Sequence, residues 1–309
     1  MHVLLKKLTR ELTLLLLFFL PKARKIRIER WLRGREEARK LRLADGVVVS
    51  FGKSGRTWLR VMISRFYQVK HGLAERHLIG FDNLHRKNAA IPKLFFTHDN
   101  YLKDYTGNAA SKADYYDSKV VLLVRNPADV AVSQYFQWKF RMRPAKKALN
   151  DYPAHNAEIE PFDFVMDENA GLPKIIDWMN LWAREAPRIN GLYIMRYEDM
   201  RTDAERELAR LVEFLGTPGS AEEVKEAVAF SSVDNMRKME EKRTFWLSGS
   251  RMVAKDKSNP NSYKVRRAKV GGFRDYFSDE QIAAIEAMVH DRLDPAFGYQ
   301  DAKLKQAVT

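Results

Sequence analysis

The stretch Val47–Tyr67, VVVSFGKSGRTWLRVMISRFY, decides the fold. It opens with Val47-Val48-Val49-Ser50-Phe51, a β-branched and aromatic run with the pattern of a buried strand. Gly52-Lys53-Ser54-Gly55 is a turn. From Thr57 onward, Trp58, Leu59, Val61, Met62, Ile63 and Phe66 recur at helical spacing. A strand, a glycine-containing loop and a helix in succession make a phosphate site. Glycine lets the backbone come close, and the first N–H groups of the helix point at the anion, aided by the helix dipole. Lys53 adds a mobile cation, and Ser54 and Thr57 add hydroxyls. An ordinary strand-to-helix turn that carries Gly and Lys fits the same letters.

The loop departs from the Walker A pattern G-x-x-x-x-G-K-[ST]. Gly52-Lys53-Ser54 matches its end, but Val47 stands where the opening glycine belongs. Gly46 precedes the strand and cannot serve in the loop after it. The loop is therefore too short to wrap a triphosphate in the Walker manner, which weighs against a nucleotide-dependent kinase, the main enzymatic alternative.

A second stretch, Lys119–Gln137, repeats the arrangement: a strand over Val120–Val124, Arg125-Asn126-Pro127, then a helix. Proline suits a first helical position and asparagine an N-cap. Arg125 falls at the C-terminal end of a strand, where open α/β sheets bind ligands. Ser133, two helical turns on, turns toward the same ligand. Two separated anion sites imply a nucleotide with phosphates at both ends.

On these residues the chain resembles the sulfotransferases that use 3′-phosphoadenosine 5′-phosphosulfate (PAPS). Lys53-Ser54-Gly55-Arg56-Thr57-Trp58 is similar to the family's K-S-G-T-T-W loop, with Arg56 in place of a threonine. Arg125-Asn126-Pro127 through Asp129 and Ser133 resembles R-N-P-x-D-x-x-x-S. Tyr197-Glu198-Asp199-Met200 matches Y-E-D-M, and Arg266-Arg267-Ala268 with Gly271–Phe277 resembles the R-K-G segment near the C-terminus. Ala268 stands where that segment has glycine. The four blocks come in family order.

The resemblance implies a P-loop-like α/β fold of three layers, a central, mainly parallel sheet flanked by helices, over residues 46–309. It implies that Lys53, Ser54, Gly55, Arg56, Thr57 and Trp58 hold the phosphosulfate and adenine side of PAPS. Arg125, Ser133, Arg266, Arg267 and Ala268 would hold the 3′-phosphate. Ser232, within Ser231–Met236, resembles an adenosine-contacting segment, with Val233 in place of an aromatic, so Trp58 becomes the main stacking face. Tyr197 joins the donor site. His98 is the implied base: Thr97-His98 matches the end of a K-T-H motif, but Phe96 replaces its lysine. Lys53 would stabilise charge on the leaving phosphate oxygen. The product is adenosine 3′,5′-bisphosphate, and no metal is implied.

Composition sets the remaining bounds. The 309 residues contain no cysteine, which excludes disulfides, thiolate metal sites and cysteine nucleophiles, and fits a cytoplasmic protein. His71, His77 and His85 are scattered without ligand spacing. The net charge of +14 calls for an anionic partner, either nucleic acid, a membrane surface or a polyanionic ligand. Nucleic acid is disfavoured. The basic segment 243–270 has few aromatics and runs into the sulfotransferase-like block, so it reads as a lid over PAPS.

Residues 1–45 form a helical extension with 13 Lys/Arg and 5 Asp/Glu. Its apolar run Leu12–Leu20 is nine residues, against the roughly 20 needed to cross a bilayer. Pro21-Lys22-Ala23-Arg24-Lys25 follows, without a signal-peptide cleavage site. Two short helices are expected, their apolar surface and basic belt suiting the interface of an anionic membrane at the cytoplasmic face. A lipid-linked saccharide or glycolipid then becomes a candidate acceptor, beside soluble hydroxyl or amine compounds. The alternatives are a helix packed on the domain or in a dimer. A non-catalytic basic module binding membrane or nucleic acid would explain the charge but not the four ordered blocks. The proline-punctuated stretch 144–175, with a short helix at Phe162–Met166, is expected either to contact the acceptor or to be a surface insertion.

Overall fold

A computed structural model describes residues 11–245 and 252–300, apart from 14, 254, 255 and 257. The expectations that rest on residues 1–10, Leu14, Lys255 and Lys257 lie outside the described residues.

Four strands form the sheet: β1 (Gly46–Ser50), β2 (Leu94–Thr97), β3 (Lys119–Val124) and β4 (Gly191–Arg196). Their order is β2-β1-β3-β4, and every pairing is parallel. Among the described residues, eight helices of ten residues or more surround them. These are α1 (Lys22–Leu43), α2 (Arg56–Lys70), α3 (Pro127–Phe140), α4 (Leu172–Glu185), α5 (Ala204–Phe214), α6 (Ala221–Phe230), α7 (Val233–Lys242) and α8 (Asp279–Arg292).

Alternation along the strands builds the three layers. Val47, Val49 and Phe51 pack on one face with Val130 and Ala131 of α3, Ile175 and Ile176 of α4 and Ile285 of α8. Val48 points the other way, among Leu59, Met62, Ile63 and Phe66 of α2 and Leu208, Leu211 and Val212 of α5. The α2 residues lie at the i, i+3, i+4, i+7 spacing of one helical face, and burying each contributes about 1.5–3 kcal/mol. Two-sided burial explains why β1 and β3 read as continuous apolar runs.

The N-terminal expectation needs correction. Residues 22–43 form one helix of 22 residues, not a short one. Ion pairs at helical spacing support it, including Arg33–Glu29 at 2.6 Å and Lys40–Glu36 at 3.2 Å. Gly34 does not break it, because α1 lies so close to the loop after β2 that a Cβ there would meet Tyr101 O at 2.3 Å. Arg30 pairs with Asp104 at 3.1 Å and donates to Leu149 O at 2.8 Å, so α1 is packed on the sheet-bearing unit. No helix among the described residues is long and apolar enough to cross a membrane.

Candidate active site

All four strands run the same way, so their C-terminal ends share one edge, and a cavity of about 320 Å³ opens there. The loop after β1 shapes its floor. Lys53 and Gly55 both adopt the left-handed region, at φ 76° and 94°. Glycine is required at 55 twice over, because a Cβ would also lie 2.5 Å from the Tyr197 ring. Gly55 is the N-cap of α2, yet no side chain caps this end and no acidic residue lies in its first turn. With no capping side chain or acid there, the positive helix end suits an anion.

The cavity brings together Lys53, Gly55, Arg56, Thr57, Trp58, His98, Arg125, Ser133, Tyr197, Arg266, Arg267 and Ala268. Two expected residues are elsewhere. The Ser54 side chain is buried under the loop, 2% exposed, and is not on the cavity wall. Ser232 is exposed at the start of α7 and makes no cap bond, while Val233 and Met236 beside it face the cavity. The turn into α7 directs the apolar side of the helix inward and this hydroxyl outward.

The wall is strongly cationic. Among the described residues, Lys53, Arg56, Arg125, Lys146, Arg201, Lys264, Arg266, Arg267 and Lys269 line it, against the single carboxylate of Asp129. Burial, then the charges of Arg141, Arg266 and Arg125, push the Lys53 ammonium down to about 7. A site that suppresses its own lysine charge is built to receive negative charge.

Arg125 donates to Asp129 Oδ2 at 3.2 Å and to Lys269 O at 3.0 Å, and lies 4.4 Å over the Tyr197 ring. Its Nε is buried and has no hydrogen-bond partner among the described residues. Asp129 also accepts from Gly271 N at 2.9 Å and Phe273 N at 3.0 Å, clasping the C-terminal segment to the start of α3. Asn126 caps α3, and its own N–H donates to Glu198 Oε1 at 2.9 Å, which fixes Tyr197 against the loop. Arg266 bonds Tyr276 Oη and stacks 3.8 Å from the Phe136 ring centre, while Arg267 pairs with Asp275 at 2.8 Å. Ala268 sits at φ 55°, a region where glycine is at ease and alanine is strained.

His98 follows β2. Its Nδ1 lies 2.8 Å from Ser50 O and its Nε2 lies 2.6 Å from Arg56 Nη2. Burial, then the Arg56 charge, hold its pKa well below the usual 6.5, so the ring is neutral with a lone pair at Nε2. Lys146, Asn150 and Tyr152 stand on the same wall, so the start of the proline-punctuated stretch reaches the cavity while residues 153–175 do not line it.

The description of the sulfotransferase domain family matches residues 43–297. The chain belongs to this family. This sulfotransferase is 25% identical over 286 residues to cytosolic sulfotransferase 14 of Arabidopsis thaliana, covering 81% of this chain and 75% of that one. It is 24% identical over 268 residues to flavonol 3-sulfotransferase of Flaveria bidentis, covering 81% of each. Among solved structures it is similar to mouse sulfotransferase SULT7A1 complexed with PAP, with TM-score 0.56 and 19% identity over 86% of this chain and 92% of that one. A retinol dehydratase in complex with androsterone and PAP gives TM-score 0.55 at 18% identity, covering 84% of each chain. These likenesses establish the fold.

Sequence reasoning did not single out Lys146, Arg201 or the buried pair of Arg141 and Glu240. Glu240 accepts from Lys264 N at 2.8 Å and Val265 N at 3.1 Å, and Arg141 Nη1 lies 3.4 Å from it. The adjacent acids Glu240 and Glu241, set between Arg237-Lys238 and Lys242-Arg243, were the available signal.

Proposed function

We propose that this sulfotransferase moves the sulfuryl group of PAPS to a hydroxyl or amine of an acceptor, with His98 as base. The cationic lining, with a single carboxylate among the described residues, carries this reading. The space fits the donor: uncapped N–H groups at Gly55 for the 5′ end, and the Arg125–Ser133 and Arg266–Arg267 walls for the 3′-phosphate. Trp58, edge-on to Tyr197 at 5.8 Å, supplies the adenine face. As the acceptor oxygen bonds to sulfur, its proton passes to His98 Nε2. The bond from sulfur to the 5′-phosphate oxygen breaks, and the electron pair stays on the bisphosphate. Lys53 and the loop N–H groups stabilise that charge.

Calorimetric titration with adenosine 3′,5′-bisphosphate, with ATP as comparison, tests the donor site. Micromolar binding of the bisphosphate, lost in Arg125→Ala and much weaker for ATP, is expected. A preference for ATP with magnesium would overturn the reading.

A membrane-borne acceptor, such as a glycolipid or lipid-linked saccharide, is the finer reading. Its support is the outer stripe of α1, where Arg24, Arg27, Trp31, Arg35 and Arg42 share one exposed face. Beside it Leu12, Leu15, Leu16, Phe18 and Phe19 are exposed. Apolar side chains next to a basic stripe suit the headgroup region of an anionic bilayer. Sedimentation with phosphatidylserine vesicles, lost in an Arg24→Glu/Arg27→Glu/Arg35→Glu variant, is the expected outcome. Equal sedimentation of both proteins would leave a soluble acceptor as the reading.

A further inference from the structure

Three cations act on His98 through the cavity: Arg56, Lys146 and Lys264. Arg56 is already engaged with the ring nitrogen. Lys146 has Arg33 and Arg56 as its charged neighbours, on the side of α1. Lys264 differs, because after burial the charge it feels most is that of Lys53, followed by Arg141, Arg56 and Arg60. Lys264, Lys53 and His98 all line the one cavity. The latter two flank the bond that is made and the bond that is broken.

Strand β2, which His98 follows, offers no cation of its own there. Phe96, in β2 two residues before His98, is apolar, and the Arg60 guanidinium carbon lies 3.9 Å from its ring centre. The backbone at Lys264 is held in return. Glu240, 1% exposed, accepts from Lys264 N at 2.8 and 3.0 Å and from Val265 N at 3.1 Å. Arg141 lies beside the same carboxylate and reaches Val253 O at 3.2 Å. A buried acid among so many cations anchors this turn, so that the side chain of residue 264 enters the cavity while its main chain is fixed.

We propose that Lys264, whose main chain Glu240 fixes and whose side chain lines the same cavity as Lys53 and His98, binds the transferred sulfuryl group, supplying the cation that Phe96 does not. Burial and the neighbouring positive charges hold its pKa well below that of an ordinary lysine, the condition of a group prepared for an incoming anion. Its ligand is the terminal sulfonate of the donor, which the bisphosphate product lacks. The inference rests on the donor reading above.

That difference between donor and product supplies the test, and it needs no acceptor. Binding of PAPS and of adenosine 3′,5′-bisphosphate is measured by calorimetry for the wild type, Lys264→Met, Lys264→Arg and Lys146→Met. The expected result is that Lys264→Met weakens PAPS by about tenfold, the scale of one charged hydrogen bond, and changes the bisphosphate far less. Lys264→Arg should restore most of the loss. Thermal unfolding of each variant checks that the turn held by Glu240 is intact. Equal loss for both ligands, no loss for either, or a PAPS-selective loss in Lys146→Met instead, would overturn the assignment. Failure of the wild type to bind the bisphosphate would sink the donor reading itself, a separate result.

Discussion

Arg56 Nη2 lies 2.6 Å from His98 Nε2, so the guanidinium donates to the lone pair of the ring. Arginine has no lone pair to offer, which assigns the proton to Nδ1, where it is donated to Ser50 O at 2.8 Å. The ring is thereby oriented, neutral and masked. For His98 to take a proton from an acceptor, Arg56 must leave it, and an anion at the loop gives the guanidinium somewhere to go. Arg56→Thr should therefore raise the His98 pKa, because a positive neighbour that favours the neutral ring is removed. The acid limb of kcat/KM should move to higher pH. An unmoved limb, or an unmoved ring titration by NMR, would count against this coupling.

His98→Ala should reduce turnover by about 10²–10⁴, the usual contribution of a placed general base. Bisphosphate affinity should stay unchanged, since the two ring nitrogens are engaged with Ser50 O and Arg56 and His98 is assigned no phosphate. Turnover with a model phenol, read beside calorimetry, separates the two effects.

Asp129 serves three partners at once: Arg125, Gly271 N and Phe273 N. Asp129→Ala leaves a buried guanidinium and two N–H groups without their acceptor. The expected loss is about 3–5 kcal/mol of stability, with bisphosphate binding falling as Arg125 loses its aim. Thermal and urea unfolding check the first, and calorimetry the second.

Glu37 of α1 accepts from Thr97 Oγ1 at 3.3 Å and from Tyr101 N at 3.4 Å, bracing the loop that carries His98. Burial, then the charge of Asp99, raise its pKa from 4.5 to about 7. A carboxyl with a raised folded pKa binds its proton more tightly when folded. Its contribution to stability is thus greatest below 4.5 and is lost as pH rises toward 7. Glu37→Gln should flatten that slope and be the more stable protein at pH 8, by about 1–3 kcal/mol. Unfolding curves at pH 5 and pH 8 would expose the opposite trend if Glu37 were charged at no cost.

Ala268 holds φ 55° where an alanine pays a left-handed penalty of about 1–2 kcal/mol. Glycine removes the penalty and adds back about 0.4–1 kcal/mol of unfolded-chain freedom. Ala268→Gly should therefore be stabilising by a few tenths to about 1 kcal/mol. A lower melting temperature would show that the methyl makes a contact worth more than the strain.

Local chemistry made much of this protein legible in sequence. Val47–Ser50 and Val120–Val124 announce buried parallel strands because both faces are covered and no polar alternation is needed. Gly55 and the uncapped start of α2 announce an anion site, and Asn126-Pro127 announces the start of α3, since capping depends on a few adjacent residues. Periodicity read from Thr57 placed the start of α2 within one residue of its observed first position, Arg56. What lay beyond reach depends on contacts between residues apart in the chain, 142 positions for Asp129 and Gly271 and 24 for Glu240 and Lys264. Nothing local to Asp129 says that it will clasp Gly271, nor does anything local to Glu240 say that it will be the buried counter-charge of Arg141 and fix Lys264. The α1 helix looked like an appendage from its basic letters, yet Gly34 and Glu37 press it onto the loop of the candidate base. Ser232 carried a matching letter, but the turn into α7 points it to solvent. Strand and cap signals are written in neighbouring residues. The meeting of distant charges around one cavity is decided only when the sheet brings four strand ends to one edge.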